Sequence, residues 1–476
     1  MADSEHIGNA SPGASDYDVA VVGASIAGCT AATFLARSGA RVALLESHGD
    51  PRTYKRMCTH LIQPSGSPTI ERLGLRRAIE EAGAQPNDLN IWTRFGWISA
   101  EHDSAPPPMC DHPAWNIRRE TFDPMLRELA AETEGVELML GHTGTALLRD
   151  GAGAEVGAGA RAAGAGGRAG AGGRIAGVVV RERDGSEREL SATVVVAADG
   201  RDSGIAKLVD QPTKLKPNRR FGYFAHYRDT PLVTGSNAQM WLLDPDVAYA
   251  FPTDGGLTLL ACMPHKDRLP EYRTDPEQAM LRLFDGLPQG PRLDPARRVS
   301  KVMGKLDSTN VVRQPTRPGL AFIGDAALAA DPLWGVGCGW ALQSAEWLAE
   351  TVGPALEGGA PAIDRALAAY AARHRRGLDA HEKFCSAYST GKRFNPGEKL
   401  LFRAAARDEV VAGRMAEMGG RWITPQEMMT PGTIGRILRV NLSRAKRPRG
   451  LRTQPVAVAG QPATAAAQPS SVATAR

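Results

Sequence analysis

One stretch limits what this 476-residue chain can fold into more than any other: Asp18–Glu46, DVAVVGASIAGCTAATFLARSGARVALLE. An apolar run, Val19–Val22, ends in Gly23-Ala24-Ser25-Ile26-Ala27-Gly28. An alanine-rich helical segment follows, and a second apolar run closes on Glu46. Strand, tight turn, helix and strand within about 30 residues, ending on an acid, form the βαβ unit that seats an ADP moiety. Gly23 lets the chain leave the strand sharply, and Gly28 lets helix and strand approach closely. The free N–H groups at the helix start and the helix dipole favour a pyrophosphate. Glu46 accepts hydrogen bonds from both ribose hydroxyls and would repel a 2′-phosphate. Ser25 replaces a glycine of the usual pattern, at the closest approach to the phosphates. Alone, the stretch also reads as an ordinary buried βα turn.

A net charge of +5 on a chain of this length does not argue for nucleic acid. The six cysteines (Cys29, Cys58, Cys110, Cys262, Cys338, Cys385) have neither paired nor metal-like spacing, which fits a reducing cytoplasm and argues against a disulfide framework or a bound metal. No apolar run approaches the ~20 residues needed to span a bilayer, and the first 15 residues lack a signal pattern. The expectation is a soluble, cytoplasmic protein.

Along the chain, residues 1–15 read as a flexible tail and 446–476 as a disordered one. Helices are expected at Thr69–Ala82, Thr121–Thr133, Pro361–Tyr388 and Pro396–Met418, with a Thr or Asp cap on the second. The basic stretch Ile434–Arg452 reads as a solvated helix face. Residues 151–174, nearly all Gly, Ala and Arg, read as a low-complexity insertion between two strands of a hairpin. The segments FGYFAHY, AQMWLL, VAYAFP and GLTLLACM alternate as four strands of an antiparallel sheet, and IWTRFGWIS is strand-like.

Two distant segments sharpen the opening motif. ATVVVAADGRDS ends a strand in Asp199-Gly200. GLAFIGDAALAADPLWGVGCGW ends a strand in Gly324-Asp325 and continues through Pro332, Gly335, Gly337 and Gly339 into a helix. With Arg119-x-x-Phe122 before another helix, these motifs, in this order over residues 16 to 355, resemble the FAD-dependent monooxygenases of the aromatic-hydroxylase type. More broadly, they resemble the family that includes geranylgeranyl reductases and flavin-dependent halogenases. The halogenase W-x-W-x-I-P signature is absent, and Leu328 stands where the aromatic hydroxylases have His.

The resemblance implies an α/β fold: a Rossmann-like FAD-binding domain (16–83, 111–210 and 311–360), an inserted antiparallel-sheet substrate domain (84–110 and 211–310) and C-terminal helices (361–445). It implies FAD held by Gly23, Ser25, Gly28, Glu46, Arg119, Asp199, Gly324, Asp325, Gly335 and Gly337. Asp325 would bind a ribityl hydroxyl, and the 335–339 turn would face the flavin edge that becomes negative on reduction. It further implies NAD(P)H as co-substrate and a flavin C4a-hydroperoxide that oxygenates a small molecule. The aromatic-rich sheet suggests a hydrophobic or aromatic substrate. A reductase of the prenyl-saturating type and a redox-neutral FAD protein remain alternatives.

Catalytic side chains are not legible. His60 and His226 are weak candidates; a satisfied or exposed histidine is the competing reading of each. The resemblance places Phe251-Pro252 in a turn near the flavin. Trp334 and Trp340 read as core packing. Cys338 has no CxxC partner and reads as a small residue chosen for fit. Oligomeric state is not legible.

Overall fold

The computed structural model describes residues 15–99, 111–150, 173–443 and 448. Both expected tails, the Gly/Ala/Arg tract, Pro106-Pro107-Pro108 and Cys110 fall wholly or almost wholly outside the described residues.

The apolar runs of the opening motif become the centre of a parallel sheet. Tyr17–Val22 lies between Val42–Glu46 and Glu187–Ala197, with Val136–Leu140 and Leu320–Phe322 beyond, all parallel. The parts of these strands that pair in the sheet are mostly apolar because both faces are covered, one by helices and the other by the antiparallel strands Thr143–Arg149 and Ile175–Arg181. Helix Ile26–Arg37 packs between Arg119–Glu132 and Val336–Val352. Glu187–Ala197 serves two partners. Its first half pairs antiparallel with Ile175–Arg181, and its second half joins the parallel sheet beside Tyr17–Val22. Thr143–Arg149 pairs antiparallel with Ile175–Arg181, so the 151–174 tract joins two neighbouring strands.

The period-2 segments form a second sheet. Gly222–Arg228, Leu257–Met263, Val247–Thr253 and Gln239–Leu242 follow one another antiparallel, and Asn90–Thr93 adds a parallel strand beyond them. One face, with Phe221, Ala225, Tyr227 and Trp241, is buried with Met280 and Phe284 of helix Pro276–Asp285. The other, with Phe224, Met240, Tyr249 and Phe251, joins the core shared with the first domain. Alternation along each strand produces this division.

Several elements differ from the sequence reading. IWTRFGWIS is a hairpin, Asn90–Thr93 with Gly96–Ile98, rather than one strand. Thr69–Ala82 is two helices, Ser67–Leu73 and Arg76–Glu81, broken by Gly74 in the left-handed conformation (φ +82°). Pro396–Met418 is also two, Pro396–Ala405 and Glu409–Gly419, because the Asp408 side chain caps the second by accepting the Val411 N–H. The helix at Arg119–Glu132 starts two residues early and has no side-chain cap. The Ile434–Arg452 helix is Pro431–Leu442, started by Thr430 and Pro431. Phe251-Pro252 lies inside strand Val247–Thr253, not in a turn. Past Ala250 that strand has no register partner on Gln239–Leu242, so the missing proline N–H breaks no ladder bond there. No helix among the described residues is long and apolar enough to cross a membrane.

Candidate cofactor and substrate site

A cavity of about 700 Å³ opens where the parallel strands end, at the edge facing the second sheet. Such a position suits a nucleotide because the strand-to-helix turns converge there. Each grip expected for an extended dinucleotide is contributed by a different turn.

The first turn is shaped for close approach. Gly23 has φ +107°, and a Cβ there would lie 2.6 Å from the Ala198 carbonyl oxygen. A Cβ on Gly28 would lie 1.7 Å from the Gly23 carbonyl oxygen, so the turn and its helix touch through glycine. Gly28 packs behind the cavity wall formed by Gly23 to Ala27. Ser25 occupies the N-cap position of helix Ile26–Arg37 but makes no cap bond, and no acid stands in the first turn. Its hydroxyl instead accepts the Arg119 Nη2 hydrogen at 2.7 Å. The helix start therefore has no side-chain anion of its own.

Glu46 is buried at the cavity wall. It accepts hydrogen bonds from the Ala24 N–H (3.1 Å) and the His48 N–H (3.0 Å), and pairs with His48 Nδ1 at 2.8 Å. Burial alone would raise its pKa; the bonds from His48 and Ala24 outweigh that and hold it below the usual range, ionised.

Arg119 also lines the cavity, almost fully buried. Burial opposes its charge, but Asp123 outweighs this and raises the pKa. The pair is bidentate, Nε to Oδ1 at 2.5 Å and Nη2 to Oδ2 at 2.8 Å, and Asp123 also accepts the Lys55 N–H at 3.0 Å. One helical turn on, Arg127 donates to the carbonyls of Ala24, Pro51 and Thr53 and braces the glycine turn.

At the far end, Asp199, Asp325, Gly335 and Gly337 line the same cavity. Asp199 uses Oδ2 to accept the Ile205 N–H at 3.0 Å, while its buried Oδ1 has no partner. Asp325 pairs with Lys55 Nζ at 2.6 Å. Gly324 stands behind the wall, its N–H donating to Ser344 Oγ at 2.9 Å. The structure thus brings Gly23, Ser25, Glu46, Arg119, Asp199, Asp325, Gly335 and Gly337 around one space. Gly28 and Gly324 support it from behind.

The two histidines lie elsewhere. Neither His60 nor His226 lines the cavity, but their rings meet, with centroids 5.0 Å apart. His60 Nδ1 accepts the Arg119 N–H at 3.2 Å, and Nε2 of both rings is buried without a partner. Burial, then repulsion from His60, pushes His226 down to about 3, so it is neutral at ordinary pH.

A second, smaller cavity of about 110 Å³ adjoins the first, and Leu61, Pro332 and Gly335 line both. Its mostly apolar lining includes Met240, Tyr249 and Phe251 of the second sheet and Met415 and Met418 of helix Glu409–Gly419, with Gln63, Asn87, Asp88 and His112 as its polar members. Trp334 lines it as well and packs on Phe384 and Tyr388. Trp340 is buried with the Arg421 guanidinium over its ring.

Sequence reading missed Asp123, Arg127, His48, Lys55 and Cys58. The spacing Arg119–Asp123–Arg127, four and four on one helix, was a readable signal. His48, Lys55 and Cys58 stand in loops with no such signal.

The residues present fit FAD by their own chemistry: a glycine turn, a helix start without a side-chain cap, an ionised carboxylate at the ribose end and a free carboxylate oxygen at the other. The fold and this cradle define a dinucleotide-dependent α/β oxidoreductase. Residues 16–383 match the family described as the FAD binding domain, and the chain belongs to that family. It is an FAD-dependent oxidoreductase. It is 26% identical over 356 residues to digeranylgeranylglycerophospholipid reductase 1 of Methanopyrus kandleri, covering 72% of this chain and 82% of that one. Among solved structures, the flavin-dependent brominase Bmp2 superposes with a TM-score of 0.69 at 17% identity, covering 89% of this chain and 98% of that chain. PqsL of P. aeruginosa in complex with 2-aminobenzoylacetate superposes with a TM-score of 0.59 at 19% identity, covering 79% and 96%.

Proposed function

We propose that the protein is an FAD-dependent monooxygenase that uses NAD(P)H and O₂ to oxygenate a small hydrophobic or aromatic molecule. One observation carries the reading: an apolar cavity shares Leu61, Pro332 and Gly335 with the cofactor cavity, at the start of helix Val336–Val352. FAD, when bound, supplies hydride acceptance and oxygen activation. The chain's own part is to hold and to screen. Gly23 to Ala27 and Glu46 grip the ADP half, and Asp325 is placed for the ribityl chain. Gly335 and Gly337 begin a helix whose N–H groups favour negative charge on the flavin. Phe251, Trp334, Met240 and Met415 keep water from the substrate. The Tyr249 hydroxyl is committed to the Leu333 carbonyl at 2.7 Å, which leaves an apolar wall.

The neighbouring structures support a small ligand, since PqsL was solved with 2-aminobenzoylacetate. The size of the second cavity supports one as well. Its 110 Å³ is of the order of the ~150 Å³ void that takes up benzene.

A reductase that saturates a prenyl chain is the second reading, favoured by the identity to the M. kandleri enzyme. The two separate on product mass: incubation with NAD(P)H and a panel of aromatic and prenyl compounds under ¹⁸O₂ should yield a product carrying one ¹⁸O. A product gaining two hydrogens with no oxygen uptake would replace the monooxygenase reading with the reductase one.

A further inference from the structure

Cys338 has a partner that its sequence neighbourhood conceals. Cys58, 280 residues away, places its Sγ 3.8 Å from the Cys338 Sγ, and both residues line the cofactor cavity. We propose that Cys58 and Cys338 form a redox-active dithiol that exchanges two electrons with the bound flavin.

Three features distinguish the pair from two small residues packed for fit. Cys338 is the third residue of helix Val336–Val352, so a regular helix holds its sulfur at the cavity wall. The His60 N–H donates to Cys58 Sγ at 3.3 Å. The Arg119 guanidinium acts on both sulfurs. Together the hydrogen bond from Cys338, the His60 contact and the Arg119 charge overcome burial and bring Cys58 well below the ordinary thiol range. The Cys338 thiol, which supplies that bond, is pushed up by it and by burial. The other described cysteines lack this setting. Cys29, Cys262 and Cys385 are buried, and burial is the leading cause raising each thiol.

The exchange balances without another reactant. With Cys58 ionised, the Cys338 S–H bond breaks and one S–S bond forms; two electrons and that one proton pass to oxidised flavin. In reverse, two electrons and one proton from the reduced flavin open the disulfide and return a Cys58 thiolate and a Cys338 thiol. The cavity would then hold two more reducing equivalents than its flavin alone. The pair uses no substrate group, so it stands apart from the choice between oxygenase and reductase.

The test is an anaerobic dithionite titration of diamide-treated holoenzyme, with non-reducing peptide mapping before and after. The proposal expects four electrons per FAD, two for flavin and two for the disulfide, against two in Cys58→Ser and Cys338→Ser. Mapping should show a Cys58–Cys338 linked peptide that becomes two separately alkylated peptides on reduction. Apoprotein treated with diamide should form the same link, and that readout survives if the serine variants fail to fold. Two electrons per FAD in the wild type, with both cysteines alkylated after diamide, would overturn the proposal. A linked peptide that persists once the flavin is reduced would do so too.

Discussion

The Arg119–Asp123 pair supports a prediction whose size follows from its burial. Arg119 is 4% exposed and Asp123 1% exposed, and the guanidinium is held by two bonds to the carboxylate. Asp123→Asn keeps the shape and one acceptor but removes the countercharge. It leaves a buried cation bonded only to neutral side-chain acceptors, the Asn amide oxygen and Ser25 Oγ. Breaking such a pair from one side costs about 3–5 kcal/mol, and the retained acceptor places this case near 3. That is a large part of the 5–15 kcal/mol typical of a folded domain. The assay is urea unfolding of the apoprotein, since bound FAD would add its own stabilisation. The double change Arg119→Met with Asp123→Leu should recover more than half of the loss, because it removes both charges and fills the space. A loss below about 1 kcal/mol in Asp123→Asn would refute the reasoning. So would a double variant no better than the single one.

Three further outcomes follow. Gly28→Ala should yield protein that loses flavin on purification, because its Cβ would lie 1.7 Å from the Gly23 carbonyl oxygen; the ratio of visible to ultraviolet absorbance reads this. Glu46 is held below the usual carboxylate range when folded, so its ionisation stabilises the fold above about pH 4.3 and that stability is lost as pH falls through the lower folded value. In Glu46→Gln, the acid limb of the apoprotein stability profile should be correspondingly shallower. His226 is depressed to about 3, so the wild type should lose stability as pH falls below about 6.5 towards that value. Thermal unfolding of His226→Leu between about pH 7 and pH 5 should depend less on pH.

How much was legible depends on where the information lies. The βαβ unit and the four alternating strands are local patterns, so VALLE and GLTLLACM could be read from their own residues. Helix breaks were harder. Gly74 and Asp408 interrupt segments whose periodicity continues on either side, and only backbone conformation and a cap reveal the stop. The cofactor turns announced themselves through glycines and acids at strand ends. Their supports did not: Lys55 reaches Asp325 across 270 residues, and Cys58 meets Cys338 only because a loop folds beside a helix start. The wall that helix Glu409–Gly419 gives the small cavity is likewise a product of tertiary packing, and no motif in that helix points to it. The histidines carried no signal of each other, although their rings are neighbours.

The most direct test of the central claim is anaerobic reduction of the purified flavoprotein by NADPH or NADH, followed by rapid mixing with O₂. The account predicts bleaching of the flavin by one of the two nucleotides. A transient absorbing species should then form before oxidised flavin returns, lasting longer when an aromatic ligand fills the cavity of Tyr249, Trp334 and Met415. Flavin that neither nucleotide bleaches, or that reoxidises with no transient under any ligand, would contradict it.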